Sequence, residues 1–169
     1  LSPDIYRKIG DAIRQGIRRN RLRNIIPKFF GDDLTDAQIE EIEFHACWRH
    51  LDSGEFLMRK GDEGRSMSVL VSGRLRALLP IENEAPRVLG DITSGETVGE
   101  TSLFSGEQRS ADILAVRDSY VVEFSKESFE KITEKYPSVL MRVSEIVIKR
   151  LRSAQEANAE AGRLSVVTL

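Results

Sequence analysis

Cysteine is nearly absent: Cys47 stands alone in 169 residues, so no disulfide can close within the chain and no Cys-rich metal ribbon can form. A reducing, cytoplasmic setting is the expectation that follows. Histidine is scarce too. His45 and His50 are read as preceding the first strand, no third histidine completes a ligand set, and no metal centre is expected. A nucleophilic serine also lacks its context. GRSMS at Gly64 fails the GxSxG pattern at its last position, and neither histidine sits where a triad would need it, so no catalysis is expected within this chain.

No apolar run approaches the roughly 18 residues that a membrane-spanning helix needs, and no signal-peptide core lies near Leu1. Charge of one sign is not in excess: 31% of residues are charged, yet the net charge is −2. Composition thus gives no footprint for nucleic acid. The chain opens on Leu1, Ser2, Pro3 and Asp4 rather than on methionine, so a piece of a longer protein is expected, with an effector domain elsewhere in it.

What is present is enough apolar matter, 40% of residues, for one ordinary core. Ile5, Ile9, Ile13 and Ile17 recur every fourth residue behind Ser2 and Pro3, which predicts a helix from about Pro3 to Leu22. Its other face is basic, with Arg7, Lys8, Arg14, Arg18, Arg19, Arg21 and Arg23. That face is read as solvated, with the isoleucine stripe packed on a neighbour; contact with phosphate or with an anionic membrane surface is the second reading. A second helix is signalled by DLTDAQIEEIEFHA, in which Thr35 and Gln38 have the spacing of a capping box.

From Gly54 to Ser125 the rhythm changes to short apolar runs broken by Gly, Asp and Asn. Six to eight strands are expected there, as a sandwich, jelly roll or small barrel, with no helical pattern long enough for a doubly wound sheet. Helical spacing then returns in KESFEKITEKY and in a long segment that begins at Pro137. Its stripe of Leu140, Val143, Val147, Leu151 and Ala154 fits packing on its own domain and pairing with a second copy equally well. The tail RLSVVTL has β character.

The stretch GETVGETSLFSGEQRSADILA sets Glu100 and Arg109 at the two ends of a glycine-punctuated loop. Arg109 offers a fork that fits phosphate oxygens, and an ionised Glu100 can only accept, for example from a sugar hydroxyl. Together they describe a nucleotide, although by spacing alone a structural ion pair across the loop is the stronger reading.

The same stretch resembles the phosphate-binding cassette of cyclic nucleotide-binding domains, through Val98, Gly99 and Glu100, the run Thr101 to Phe104, and then Gln108, Arg109, Ser110 and Ala111. GDEGRSMSVLVSGRLRAL is similar to that family's glycine-rich strand pair, and the helix after Pro137 is similar to that of the catabolite activator family. The resemblance implies a mainly β fold with flanking helices: a double-stranded β-helix, or jelly-roll β-roll, with N-terminal helices and a long C-terminal lid helix. Residues 1–52 are then the N-terminal helical segment, 53–125 the roll with its cassette at 98–111, 126–160 the C-terminal helices, and 161–169 the start of a linker or next domain.

By the same resemblance, cyclic AMP or cyclic GMP is the regulatory ligand. Glu100 would accept from the ribose 2′-hydroxyl and Arg109 would pair with the phosphate. Gly99, Thr101 and Ala111 would lend backbone contacts. Ser110 would bond either the phosphate or a guanine amino group. Arg150, Leu151 and Gln155 match positions that cover or bond the purine, and Gln155 favours adenine. Asp112 departs from the pattern; strand alternation that turns Arg109 and Ala111 inward would turn Asp112 out and leave the site unharmed, whereas an inward Asp112 would repel the ligand phosphate. PRVLGDITSGETVGE and the terminal RLSVVTL resemble the regulatory region of bacterial patatin-like phospholipases, whose catalytic domain would be an effector outside this chain. A homodimer through the last helix is an expected partner, and DNA binding by this chain is not. The other readings are the sensor half of a transcription factor and a domain that has lost its ligand and serves as a dimerisation scaffold.

Overall fold

The computed structural model describes residues 2–166, with backbone alone for 157, 158 and 161–166. Helix α1 runs Pro3–Phe30, with Pro3 in its first turn. It passes the expected end near Leu22 and holds Pro27 inside it. An interior proline costs about 3 kcal/mol. Leu22, Ile25, Ile26, Phe29 and Phe30 are all buried, at about 1.5–3 kcal/mol each, so packing outweighs the break that the proline signals. Helix α2, Asp36–Phe44, opens with the expected capping box. Gln38 N donates to Thr35 Oγ1 at 3.3 Å and Thr35 N donates to Gln38 Oε1 at 2.8 Å.

Six antiparallel strands follow: β1 Cys47–Leu51, β2 Phe56–Met58, β3 Ser66–Leu79, β4 Arg87–Ile92, β5 Thr97–Val98 and β6 Asp112–Ser125. Their order is β1-β6-β3-β4, with β2 paired to β6 and β5 to β3. The first strand therefore starts at Cys47 and contains His50, so the β-roll begins before residue 53 and only His45 precedes it. A short helix α3, Glu100–Ser105, leads from β5 towards β6, and α4, Lys126–Lys135, and α5, Pro137–Val166, close the chain. Because α5 continues to Val166, the β character of Arg163 to Val166 is not realised. Residues 167–169, the rest of the expected linker, lie outside the described residues. No helix among the described residues is long and apolar enough to cross a membrane.

Strands β3 and β6 each serve two cores. On one side Met67, Val69, Val71, Val122 and Phe124 meet the buried faces of α1, α4 and α5. On the other, Leu70, Leu75, Ile113, Ala115 and Val121 fill the inside of the roll with Leu51, Leu57, Ile92 and Val98. A change of register between Leu70 and Leu75 lets both odd and even positions of β3 reach the roll interior. Gly73 makes this bulge possible. Its φ is +108°, and a Cβ there would lie 2.6 Å from Ser119 Cα and 2.7 Å from the Asp118 carbonyl. Gly73→Ala is expected to cost about 2–4 kcal/mol, since both the left-handed backbone and the close approach are denied to alanine. Urea denaturation would read this as a lower midpoint, and an unchanged midpoint would contradict the reading.

Candidate functional site

The segment between β5 and β6 is held by glycines and by one turn. Gly99 caps α3 with φ +84°, in the left-handed region. Before β3, the turn at Gly61 and Asp62 grips Arg109 by its backbone: Arg109 N donates to the Asp62 carbonyl at 2.8 Å and Gly61 N donates to the Arg109 carbonyl at 2.9 Å. Two residues on, Gly64 admits the segment's close approach, because a Cβ there would lie 2.2 Å from Ser102 Cβ and 2.9 Å from the Glu107 carbonyl. The glycine-rich turn thus forms the support on which the Glu100–Arg109 loop rests.

Arg109 is only 6% exposed. Its Nη1 donates to the Gly99 carbonyl at 2.8 Å, and its Nη2 to the Ser66 carbonyl at 2.7 Å and Ser66 Oγ at 3.2 Å. Burial pulls this guanidinium below the ordinary arginine range, while Glu123, Asp62 and Glu100 act in the other direction. A guanidinium nonetheless keeps its proton. The site therefore holds a fixed positive charge bound to neutral acceptors.

Glu100 is buried to 1% exposure. Its Oε1 accepts from Nη1 of Arg150, on α5, in a short charge-assisted contact. Its Oε2 is buried and finds no hydrogen-bond partner among the described residues. The ion pair expected from spacing, Glu100 with Arg109, is not formed; each charge is held by something else. A carboxylate with one orphaned oxygen calls for a donor, and a guanidinium bound only to carbonyls and a hydroxyl makes no ion pair among the described residues, so the two present the demands that a hydroxyl and a phosphate would meet.

The remaining residues expected at the site are distributed as follows. Thr101 and Ala111 are half-buried beside the anchors and Ser110 is exposed. Leu151 is 48% exposed and Gln155 is exposed, so the structure gathers Gly99, Glu100, Arg109 and Arg150 but leaves Leu151 and Gln155 facing solvent. Asp112 does not turn outward. It is buried, its Oδ1 accepts from Lys60 N at 2.7 Å, and its Oδ2 lies 3.4 Å from Arg59 Nε. The register irregularity where β2 meets β6 breaks the simple alternation that would have exposed it. Its charge is answered by the segment that follows β2, through Lys60 N and Arg59, which offsets the repulsion that an inward carboxylate would offer a phosphate.

Ser66 and Glu123 were missed by the sequence reading. Each alternates with core residues on its strand: Ser66 precedes Met67, and Glu123 lies between Val122 and Phe124. The signal was therefore available as polar positions facing the roll. His50 joins Asp52 and Asp118 in an exposed group whose candidate ligand atoms lie within 4.8 Å of one another.

The sequence model described as "Cyclic nucleotide-binding domain" matches residues 48–136. The chain belongs to the cyclic nucleotide-binding domain family. Among curated relatives of this domain, Lysophospholipase NTE1 of Candida albicans is 30% identical over 80% of this chain and 10% of that protein. Lysophospholipase nte1 of Aspergillus fumigatus is 27% identical over 80% of this chain and 8% of that protein. The chain spans about a tenth of the length of these relatives. Among solved structures, the Thermus thermophilus catabolite activator protein superposes with a TM-score of 0.70 at 27% identity, over 82% of this chain and 63% of that one. A cyclic nucleotide-binding domain from Methylobacillus flagellatus gives 0.71 at 20% identity, over 89% and 84%, and shares the fold. The jelly-roll β-roll with flanking helices is thus the fold of this domain.

Removing Arg150 leaves the buried Glu100 carboxylate with neither oxygen paired. Arg150→Ala is expected to cost about 1–3 kcal/mol of stability, and Glu100→Gln in that background is expected to restore part of it. A double-mutant cycle in denaturant reads the coupling; strictly additive losses would mean that the two groups do not interact.

Proposed function

We propose that this domain binds a cyclic nucleotide, cyclic AMP in preference to cyclic GMP, and transmits its occupancy through α5 to an effector elsewhere in the parent protein. The observation that carries this reading is the contact of Arg150 with Glu100. It ties the one carboxylate suited to a ribose hydroxyl to the helix that would move, while the second oxygen of that carboxylate still lacks a donor. A ligand hydroxyl at Glu100 changes the electrostatic setting of Arg150, and its phosphate draws Arg109 away from the Gly99 and Ser66 carbonyls. Gly99, Thr101 and Ala111 would add backbone contacts, and Ser110 a hydroxyl. The ligand can shift α5 only by its differential affinity for the two helix positions.

Base selection rests on α5. Arg150 and Ala154 share one face at a spacing of four residues, and a closing movement would bring the next residue, Gln155, and Leu151 towards the base. Gln155 supplies one donor group and one acceptor, which suits the adenine edge. The effector proposed is a lysophospholipase-type hydrolase, after the names of the relatives, with this chain itself non-catalytic and a regulatory part of it. A sensor half of a transcription factor is the other arrangement of the same module, with any DNA contact made outside this chain.

A second reading, a scaffold that dimerises without ligand, is favoured by one feature. Val139, Val143 and Val147 are buried against the domain, but Leu140, Met141, Ile148 and Leu151 leave an adjoining face of α5 between 42% and 69% exposed. A second copy is the partner proposed for that face. Titration calorimetry with both cyclic nucleotides separates the two readings. The regulatory reading expects cyclic AMP to bind more tightly than cyclic GMP, and Arg109→Ala to weaken both at least about 100-fold, or about 2.7 kcal/mol. No binding by the wild type would leave the scaffold, and equal affinity of wild type and Arg109→Ala would overturn the assigned pocket.

A further inference from the structure

The isoleucine stripe of α1 is not packed on a neighbour among the described residues. Ile5, Ile9, Ile13 and Ile17 are 40%, 48%, 57% and 52% exposed, and Tyr6 is 63% exposed. The reason lies in the angular arrangement of the helix. At 3.6 residues per turn the stripe covers an arc of about 120°, and the buried face of the second half, Leu22, Ile25, Ile26 and Phe29, lies on the opposite side. In the first half it is the polar side that faces the domain: the Arg18 guanidinium stacks 3.8 Å from the Tyr120 ring centroid, and Arg19 lies 3.4 Å from Glu43. Together with Asp11, Gln15 and Trp48, these two arginines line the crevice between helix and domain. The apolar arc therefore points away from the body that the helix belongs to.

We propose that the first half of α1 is a docking helix for the surface of an anionic phospholipid bilayer, isoleucine side down, with the β-roll standing above it. Charge decides between the candidate occupants. Residues 3–21 carry six Lys and Arg against Asp4 and Asp11, whereas the whole chain has a net charge of −2. Lys8 falls on one edge of the apolar arc and Arg21 on the other, with Arg14 beside it, where long basic side chains reach lipid phosphates while the stripe enters the acyl boundary. Lys8 and Arg21 form no ion pair among the described residues. A second copy fits less well. Two such helices set stripe to stripe would oppose basic edge to basic edge, and a four-residue repeat drifts around the helix instead of holding a straight seam.

The test is co-sedimentation of the 169-residue chain with phosphatidylcholine vesicles, with and without phosphatidylserine, alongside its size-exclusion profile without lipid. Binding is expected to the anionic vesicles, to weaken as salt rises, and to be slight on neutral ones. Ile9→Asp with Ile13→Asp is expected to lower it at least about tenfold. Lys8→Glu with Arg21→Glu is expected to lower anionic binding while leaving the thermal midpoint in place, which separates lost docking from lost folding. The proposal is overturned if the wild type ignores anionic vesicles or if the isoleucine variant binds like the wild type. It is equally overturned if the wild type is a dimer without lipid that the isoleucine variant turns into a monomer, since a second copy then covers the stripe.

Discussion

A carboxylate taken out of water costs several kcal/mol unless it is paired, and the Coulombic return depends on close, well-directed partners. Glu100 is buried to 1% exposure with one oxygen on Arg150 and the other without a partner among the described residues. That imbalance organises the account of this molecule. The partner comes from α5, 50 residues further along the chain, so the state of the loop and the position of the helix cannot be set independently. Arg109 obeys the opposite constraint: its guanidinium is desolvated and answered by carbonyls rather than by a carboxylate. Bringing Glu100 to Arg109 would satisfy both charges and silence both, and the two demands of the site persist because the fold keeps them apart.

The scaffold makes that separation durable. Two long strands, β3 and β6, carry the helix-side core on one face and the roll interior on the other, and the bulge at Gly73 switches their parity between the two. The loop then rests on the turn at Gly61, Asp62 and Gly64, with Gly99 turning the chain into α3 through a left-handed conformation. Of these glycines only Gly99 would touch a ligand in the proposed reading, and through its backbone. They fix the distance between two charged groups by permitting backbone approaches that a Cβ would forbid.

Much of this was legible in the sequence, and what was not has identifiable causes. The capping box at Thr35, the strand-rich middle and the Glu100–Arg109 loop follow from local chemistry, which does not depend on the rest of the fold. The extension of α1 through Pro27 was hidden because tertiary burial of Phe29 and Phe30 overrides a local breaker. Strand β1 was hidden because four of its five residues are exposed, so it has no apolar alternation to read. Asp112 turned inward because a register shift defeats alternation. The isoleucine stripe was read correctly as a helix face, but its direction, away from the domain, depends on how α1 lies against Tyr120, which no local pattern encodes.

The claim most open to direct test is that Glu100 links the loop to α5. Hydrogen exchange of the α5 amides around Arg150, measured with and without saturating cyclic AMP in the wild type and in Glu100→Gln, addresses it. The account predicts a ligand-dependent change in protection there in the wild type, and its loss in Glu100→Gln at a ligand concentration that still saturates the variant. The same ligand-dependent change in both proteins would contradict it.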